Sequence, residues 1–169
     1  MEGTKRRTAI LSALANTEKP ISASRFAKEL GVSRQIIVGD VALLRASGEA
    51  IIATARGYLL EQPADKMISK IAVQHNKAQT EEELLLVVEN GGEVIDVVVE
   101  HPLYGELVGG LHLKTKSDVA RFMKDYQKAQ TSLLSELTNG IHLHTIAYET
   151  PEDLAKIKAA LSKHHILYQ

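Results

Sequence analysis

Apolar residues in the first fifty positions recur at intervals of three and four, the spacing of one face of an amphipathic helix. Ser22 and Ser33 stand just before two of these segments, where a hydroxyl can cap the first turn of a helix. Gly31 and Gly48 follow two of them, where a helix can end. The pattern therefore predicts three helices. Their expected ranges are 5–16, 22–30 and 34–47.

Two short apolar runs, residues 51–53 and 58–60, follow the third predicted helix. Because a short turn separates them, they predict a β-hairpin with Arg56 at its tip. A short helix, a glycine-containing turn, a longer helix and then a hairpin is the order of a winged helix-turn-helix. We expect this DNA-binding unit to occupy residues 1–62.

The start of the third helix carries side chains suited to DNA. The first turns of a recognition helix face base edges in the major groove. The positions here are Ser33, Arg34 and Gln35, with Val38 and Gly39 as further candidates. Arg and Gln suit guanine and adenine, whereas a serine hydroxyl can hold a phosphate. With Arg56 in the hairpin, these residues are the candidate contacts to double-stranded DNA. The alternative is a winged helix used only for protein contacts.

Strand and helix patterns alternate through residues 66–169, after a polar linker that contains Pro63. Ser117 and Thr80 are the expected helix caps, the latter in a capping box with Glu83. The order β-α-β-β-α-β, followed by a further helix, predicts an α+β fold with a ferredoxin-like split βαβ sheet. The expected elements are 67–74, 80–89, 94–100, 107–114, 117–129, 141–148 and 151–163, with a short edge strand at 166–168.

This topology brings four potential metal ligands to one corner. The first and last strands are expected to be antiparallel neighbours, so His75 at the end of the first would meet His142 and His144 near the start of the last. These two histidines are two positions apart and therefore share a face of the strand. Glu83 can reach the same corner, although its capping role competes. Three imidazoles and a carboxylate suit one divalent transition ion per chain, nickel or zinc.

The turn between the second and third strands of this unit contains His101 and Tyr104. His101 either lines the same cavity as the metal ligands or closes the turn. We take these two residues as the candidate contacts to a small effector.

Composition and charge exclude several classes of protein. The 169 residues contain no cysteine, which excludes disulfides, thiolate metal sites and cysteine nucleophiles. No apolar run approaches the roughly 18 residues that span a bilayer, and no signal-peptide pattern opens the chain, so we expect a cytoplasmic protein without a membrane partner. The net charge of −1 divides into +3 over residues 1–62 and −4 over residues 63–169. A basic first part suits a partner rich in phosphates.

These motifs together resemble a known family. Residues 5–60, especially GVSRQIIVGDVALLR followed by ARGYLL, look like a winged helix-turn-helix of the biotin-repressor type. Residues 67–169 resemble the 3H domain through His75, the run DVVVEHPLYGEL and the run NGIHLHTI. Proteins of this architecture are niacin-responsive repressors of genes for NAD biosynthesis and niacin uptake. One departure is Gly39, in the interior of the recognition helix, where glycine costs about 1 kcal/mol.

The resemblance implies a set of ligands and partners. It implies a DNA-binding homodimer, nicotinic acid as corepressor, and a divalent metal in the 3H domain. The implied metal ligands are the positions that match His75, Glu83, His142 and His144.

Two other functions remain open. In the first, the metal ion itself is the signal that a transcription regulator senses. In the second, a metal-activated water hydrolyses a small substrate with Glu83 as base. The second is disfavoured, because a glutamate that binds the metal is not free to act as base, and the sequence fixes no other base near the site.

Overall fold

The computed structural model describes residues 2–61, 66–129 and 133–168. The chain divides into two compact units, residues 1–63 and 64–169, each with a hydrophobic core of its own. Most of the predicted linker, residues 62–65, lies outside the described residues. In the part of the chain that is described, no helix has both the length and the apolar character that crossing a membrane requires.

The first unit is the predicted winged helix-turn-helix. Ser22 and Ser33 cap their helices as expected, since their side chains accept hydrogen bonds from the backbone N–H groups of Arg25 and Ile36. Gly31 ends the second helix in the left-handed conformation, at φ 67°. The elements are α1 (Gly3–Ala15), α2 (Ala23–Leu30), α3 (Arg34–Ala46), β1 (Ile51–Thr54) and β2 (Gly57–Leu60).

A pair of backbone hydrogen bonds joins the wing to the segment that precedes α2. Ile21 N–H donates to the carbonyl of Tyr58 at 3.1 Å, and Tyr58 N–H donates back at 2.8 Å. Gly57 makes this close approach possible. Its φ is 130°, and a Cβ there would collide with the carbonyl group of Ile21.

A buried ion pair joins α1 to α3. Asp40 on α3 is 3% exposed, and its carboxylate contacts Arg6 Nε and accepts from Arg6 Nη2 at 3.1 Å. Arg7 Nη1 adds a longer hydrogen bond of 3.4 Å. The two arginines of α1 therefore balance the buried charge of Asp40, and the ion pair joins α3 to α1.

The second unit contains a four-stranded sheet in the order β3-β6-β4-β5, with every neighbouring pair antiparallel. β3 and β4 consequently run parallel with β6 between them, which is the predicted split βαβ arrangement. The predicted tail strand is reduced to a bridge between Val73 and Leu167. The elements are β3 (Met67–Gln74), α4 (Thr80–Glu89), β4 (Glu93–His101), β5 (Gly105–Leu113), α5 (Lys116–Ala129), β6 (Ile141–Tyr148) and α6 (Pro151–Lys163).

The capping box predicted for α4 is wrong. The hydroxyl of Thr80 donates to the carbonyl of Lys77 at 2.9 Å, and Glu83 turns into the interior. A 3₁₀ turn at Lys77–Gln79 precedes α4 and carries the capping box instead. There, Asn76 Oδ1 accepts from Gln79 N–H at 3.1 Å, and Gln79 Oε1 accepts from Asn76 N–H at 3.2 Å.

The cap predicted for α5 is also wrong. The helix begins at Lys116, so Ser117 lies inside it. Asp118 N–H donates to Thr115 Oγ1 at 3.1 Å, and the Asp118 carboxylate accepts from Thr115 N–H at 3.1 Å. This reciprocal pair prevails because it satisfies two backbone N–H donors, whereas a serine cap satisfies one.

Candidate metal centre and recognition helix

The four predicted metal ligands meet in a buried corner of the second unit. His75 directly follows β3, and Glu83 lies in the first turn of α4. His142 and His144 lie on β6, opposite Val73 and Ile71 of β3 in the strand register. The exposed fractions of His75, Glu83, His142 and His144 are 7%, 1%, 4% and 3%.

All three imidazoles are oriented by the backbone. In each ring Nδ1 is hydrogen-bonded to a carbonyl oxygen, which can only accept, so Nδ1 carries the proton. The Nε2 atoms are left as acceptors or metal ligands, and this is the arrangement in which protein imidazoles bind metals. The acceptors for His75, His142 and His144 are the carbonyls of Asn76, Gly140 and Asp96, at 2.7, 2.9 and 2.7 Å.

The three Nε2 atoms converge on the carboxylate of Glu83. His142 Nε2 lies 3.3 Å from Glu83 Oε2 and 3.0 Å from His144 Nε2. The Nε2 atoms of His75 and His144 are in direct contact with the carboxylate oxygens. Among the described residues, His75 Nε2 is buried and has no hydrogen-bond partner of acceptable geometry. Facing lone pairs at these distances require a positive charge between them, which a proton or a metal ion can supply.

The donor set fits a divalent transition ion. Neighbouring ligand atoms of a four-coordinate zinc are about 3.3 Å apart, because each lies about 2.0–2.2 Å from the ion at a tetrahedral angle. The two spacings around His142 Nε2, 3.0 and 3.3 Å, are close to that value. Ligand atoms of His75, Glu83 and His142 all lie within 4.8 Å of one another. Imidazole and carboxylate ligands without thiolates suit zinc or nickel.

The opposite pKa directions of Glu83 and His144 favour a proton that is shared between the imidazoles and the carboxylate. Burial disfavours a charged Glu83, but the charge of His144 and the contacts of the carboxylate with His142 and His144 outweigh it, and the pKa of Glu83 lies far below its usual value. Burial also disfavours a charged His144, yet the adjacent Glu83 carboxylate and the Asp96 carbonyl raise the pKa of His144. A bound cation would take the place of the shared proton.

Two irregular pieces of backbone place the carbonyls that hold these rings. β4 has a bulge between Val94 and Asp96, and Asp96 Oδ1 accepts from Thr145 N–H at 3.0 Å. The same residue presents its carbonyl to His144. Gly140 has φ 83°, and a Cβ there would collide with the carbonyl oxygen of His75. The bulge and the glycine are therefore part of the centre.

A cavity of about 40 Å³ adjoins the four ligands. Most of its wall is aliphatic or aromatic, so a small molecule beside these four residues would meet mainly apolar surface. The sequence did not single out these positions, because their spacing is that of ordinary core residues, and residues 133–135 lie in no predicted element. The apolar lining residues are Leu84, Val97, Leu111, Phe122, Leu133 and Leu134.

The structure does not bring His101 and Tyr104 to this cavity. His101 Nδ1 accepts from the backbone N–H groups of Leu103 and Tyr104, at 3.1 and 3.3 Å, and thus closes the turn between β4 and β5. The Tyr104 side chain is 69% exposed and lies against the His101 ring. The sequence left two alternatives for His101, the wall of the cavity or the closure of the turn, and the structure shows the second.

The candidate DNA contacts lie on the first unit. Arg34 and Gln35 are exposed in the first turn of α3, as expected for base contacts. Ser33 uses its hydroxyl to cap α3, which leaves its second lone pair for other contacts. Arg56 lies in the β1–β2 turn and is partly buried. Its backbone N–H donates to Thr54 Oγ1 at 3.1 Å. The structure therefore places Arg56 in the hairpin turn, where the sequence predicted it.

Comparison with known proteins identifies both units. Residues 68–169 match the 3H domain, and residues 6–59 match an HTH domain. A protein of Thermotoga maritima described as probable transcription repressor NiaR is 39% identical over 165 residues, which cover 98% of this chain and 94% of that protein. Transcription repressor NadR of Bacillus subtilis is 37% identical over 169 residues, covering 98% and 94%.

The order of the two matched units and the similarity along almost the whole chain agree with the resemblance found in the sequence. The chain belongs to the family of transcription repressors that join an N-terminal helix-turn-helix to a 3H domain.

Proposed function

We propose that this protein is a repressor of NAD-related genes that binds operator DNA as a homodimer when nicotinic acid occupies its 3H domain. The two relatives carry the names of transcription repressors, which supports a DNA-binding regulator rather than an enzyme. The dimer follows from the way helix-turn-helix proteins bind paired half-sites.

One observation carries the effector part of the proposal: three buried Nε2 atoms and the Glu83 carboxylate converge beside an apolar cavity. Such a set would hold one zinc or nickel ion and can keep a coordination position open. The carboxylate or ring nitrogen of nicotinic acid suits that position, and its flat ring suits the apolar wall. Glu83 is engaged by all three imidazoles, so it is not free as a catalytic base.

The test is a titration of operator DNA with the full chain at fixed salt, with and without nicotinic acid and with and without metal. The expected result is tighter binding with nicotinic acid, only when metal is present. By linkage, operator must tighten nicotinic acid binding by the same factor, typically about 5- to 150-fold. The double variant H142A/H144A should keep basal DNA binding and lose the response. A double variant that responds fully would place the effector elsewhere.

A second candidate is a regulator for which the ion is itself the signal. The close packing of four ligands in the interior favours it, because metal binding alone would change the charge of this corner. In the same titration, a protein that responds to zinc or nickel and is indifferent to nicotinic acid would support this candidate and exclude the first.

A further inference from the structure

Gly39 has no role in the fold of the first unit that the structure reveals. It lies in the interior of α3, where glycine is the least favourable residue apart from proline. Nothing lies within 4 Å of the place where its Cβ would be, and its φ is not in the left-handed region. Neither packing nor backbone conformation therefore requires a glycine here.

The residues beside Gly39 on the same face of α3 are apolar and exposed. Ile36 precedes it by three positions and Leu43 follows it by four, so the three share one helix face. Ile36 is 44% and Leu43 is 56% exposed, and they are the large exposed hydrophobic residues in the described part of the first unit. The opposite face of α3 carries the buried residues Ile37, Val41 and Leu44.

We propose that Gly39 is the point of closest approach between α3 and the floor of the major groove, and that Ile36 contacts the methyl group of a thymine there. The inference rests on the proposed DNA binding and assigns the part of the sequence specificity that Arg34 and Gln35 do not supply.

Charge and chemistry both point to DNA as the occupant of this face. Gln35 lies four positions before Gly39 and borders this face, and Arg34 is exposed at the start of the same helix. The unit carries a net charge of +3 over residues 1–62. The C5 methyl of thymine is the apolar group that the major groove presents, and an aliphatic side chain is its natural partner. A helix position without a side chain lets the backbone come near the base edges, as glycine does wherever a ligand approaches a backbone closely.

The first experiment selects bound duplexes from a random pool with the wild-type full chain, in the presence of zinc and nicotinic acid. Variants G39A, G39V and G39L are then titrated with the selected duplex and with an unrelated one. Because space is open at residue 39, G39A should melt at a higher temperature than wild type and G39L should still fold. We expect specific affinity to fall with side-chain size, by roughly tenfold or more for G39L, and non-specific affinity to stay constant.

Three outcomes are separable. A wild-type chain that enriches no sequence would contradict the proposed DNA-binding function itself. A chain that enriches a sequence, with G39L binding as tightly as wild type, would overturn the close approach at Gly39 alone. A parallel loss on specific and unrelated DNA would place residue 39 against the phosphate backbone and would overturn the inference as well.

The second experiment replaces each thymine of the selected duplex with deoxyuridine, which lacks only the methyl group. One replacement should weaken wild-type binding by about fourfold, the value expected for burial of one methyl group. The same replacement should have no effect on I36A. The control L103A, which removes a 76% exposed aliphatic side chain from the second unit, should keep the wild-type sensitivity. Equal sensitivity of wild type and I36A at every thymine would refute the contact.

Discussion

His142 Nε2 lies 3.0 Å from His144 Nε2, while both Nδ1 atoms are tied to backbone carbonyls. The two rings therefore cannot turn away from each other without losing a hydrogen bond. The Nε2 lone pairs therefore stay directed at the same point beside Glu83. This fixed orientation distinguishes a candidate metal centre from a chance group of polar residues.

Removal of any one imidazole should lower metal content. H75A, H142A and H144A each leave three of the four ligands, and we expect purified variants to retain a minor fraction of the wild-type zinc or nickel. The measurement is elemental analysis of protein dialysed against buffered metal. H164A is the matched control, because His164 is exposed and pairs with Glu82 outside the centre. Full metal content in all three variants would rule out this centre.

Asp96 should act on the metal through His144. Replacement by alanine removes the acceptor for Thr145 N–H that shapes the bulge, and the carbonyl that holds the His144 ring would shift. We expect D96A to lower metal affinity by about 10–100-fold, the usual effect of a residue that supports a metal ligand. D96N keeps a side-chain oxygen and should restore most of the affinity. Competition with a chromophoric chelator measures both, and equal affinities for D96A and wild type would remove Asp96 from this role.

Above pH 6.5, the stability of the metal-free protein and its affinity for metal should change with pH in opposite directions. His144 has a raised pKa in the folded state, so its contribution to stability is full below the unfolded value of 6.5 and is lost as pH rises through the raised pKa. Glu83 has a lowered pKa, so its contribution is present above 4.5 and is lost as pH falls. Metal affinity should rise over the range in which His144 loses its proton.

Urea unfolding of the metal-stripped protein and zinc titrations, both followed from pH 5 to pH 9, would check this opposition. H144A should flatten the stability profile on the alkaline side of pH 6.5. A wild-type profile that is flat there, or metal affinity that does not change with pH, would contradict the proton sharing described for the centre.

Two glycine-to-alanine changes in the first unit should shift stability in opposite directions. G57A meets the carbonyl group of Ile21 and requires φ 130°, so it should cost about 1–3 kcal/mol. G39A meets nothing and should gain up to about 1 kcal/mol through helix propensity. Denaturant unfolding of both variants tests the pair. Destabilisation by G39A would show that a neighbour of α3 needs the space.

The convergence of the ligands could be predicted because it depends on strand order. The positions of His75, His142 and His144 follow from an antiparallel pairing of the first and last strands, and the register that the structure shows is of that kind. Hydrophobic patterns determine such pairings strongly, since a shift by one residue would turn His142 and His144 to the other face. The hydrophobic pattern of the individual strands was therefore enough to predict which distant residues meet.

The role of Glu83 was harder to predict, because two local interactions compete for the start of α4. The sequence predicted a capping box of Thr80 and Glu83, and the structure has the box at Asn76 and Gln79 instead. The apolar wall of the cavity was missed for another reason. Residues such as Phe122 and Leu134 face the centre from segments whose arrangement depends on tertiary packing, which no periodicity reveals.

The capping box at Asn76 and Gln79 leaves Glu83 without a capping role, and this affects how the centre can respond to its ligands. Since α4 does not use Glu83 to complete its first turn, the carboxylate can exchange a proton for an ion without fraying the helix that carries it. We therefore expect ion uptake and loss to leave the backbone of this first turn unchanged. Amide hydrogens in the first turn of α4 should exchange equally slowly in both states.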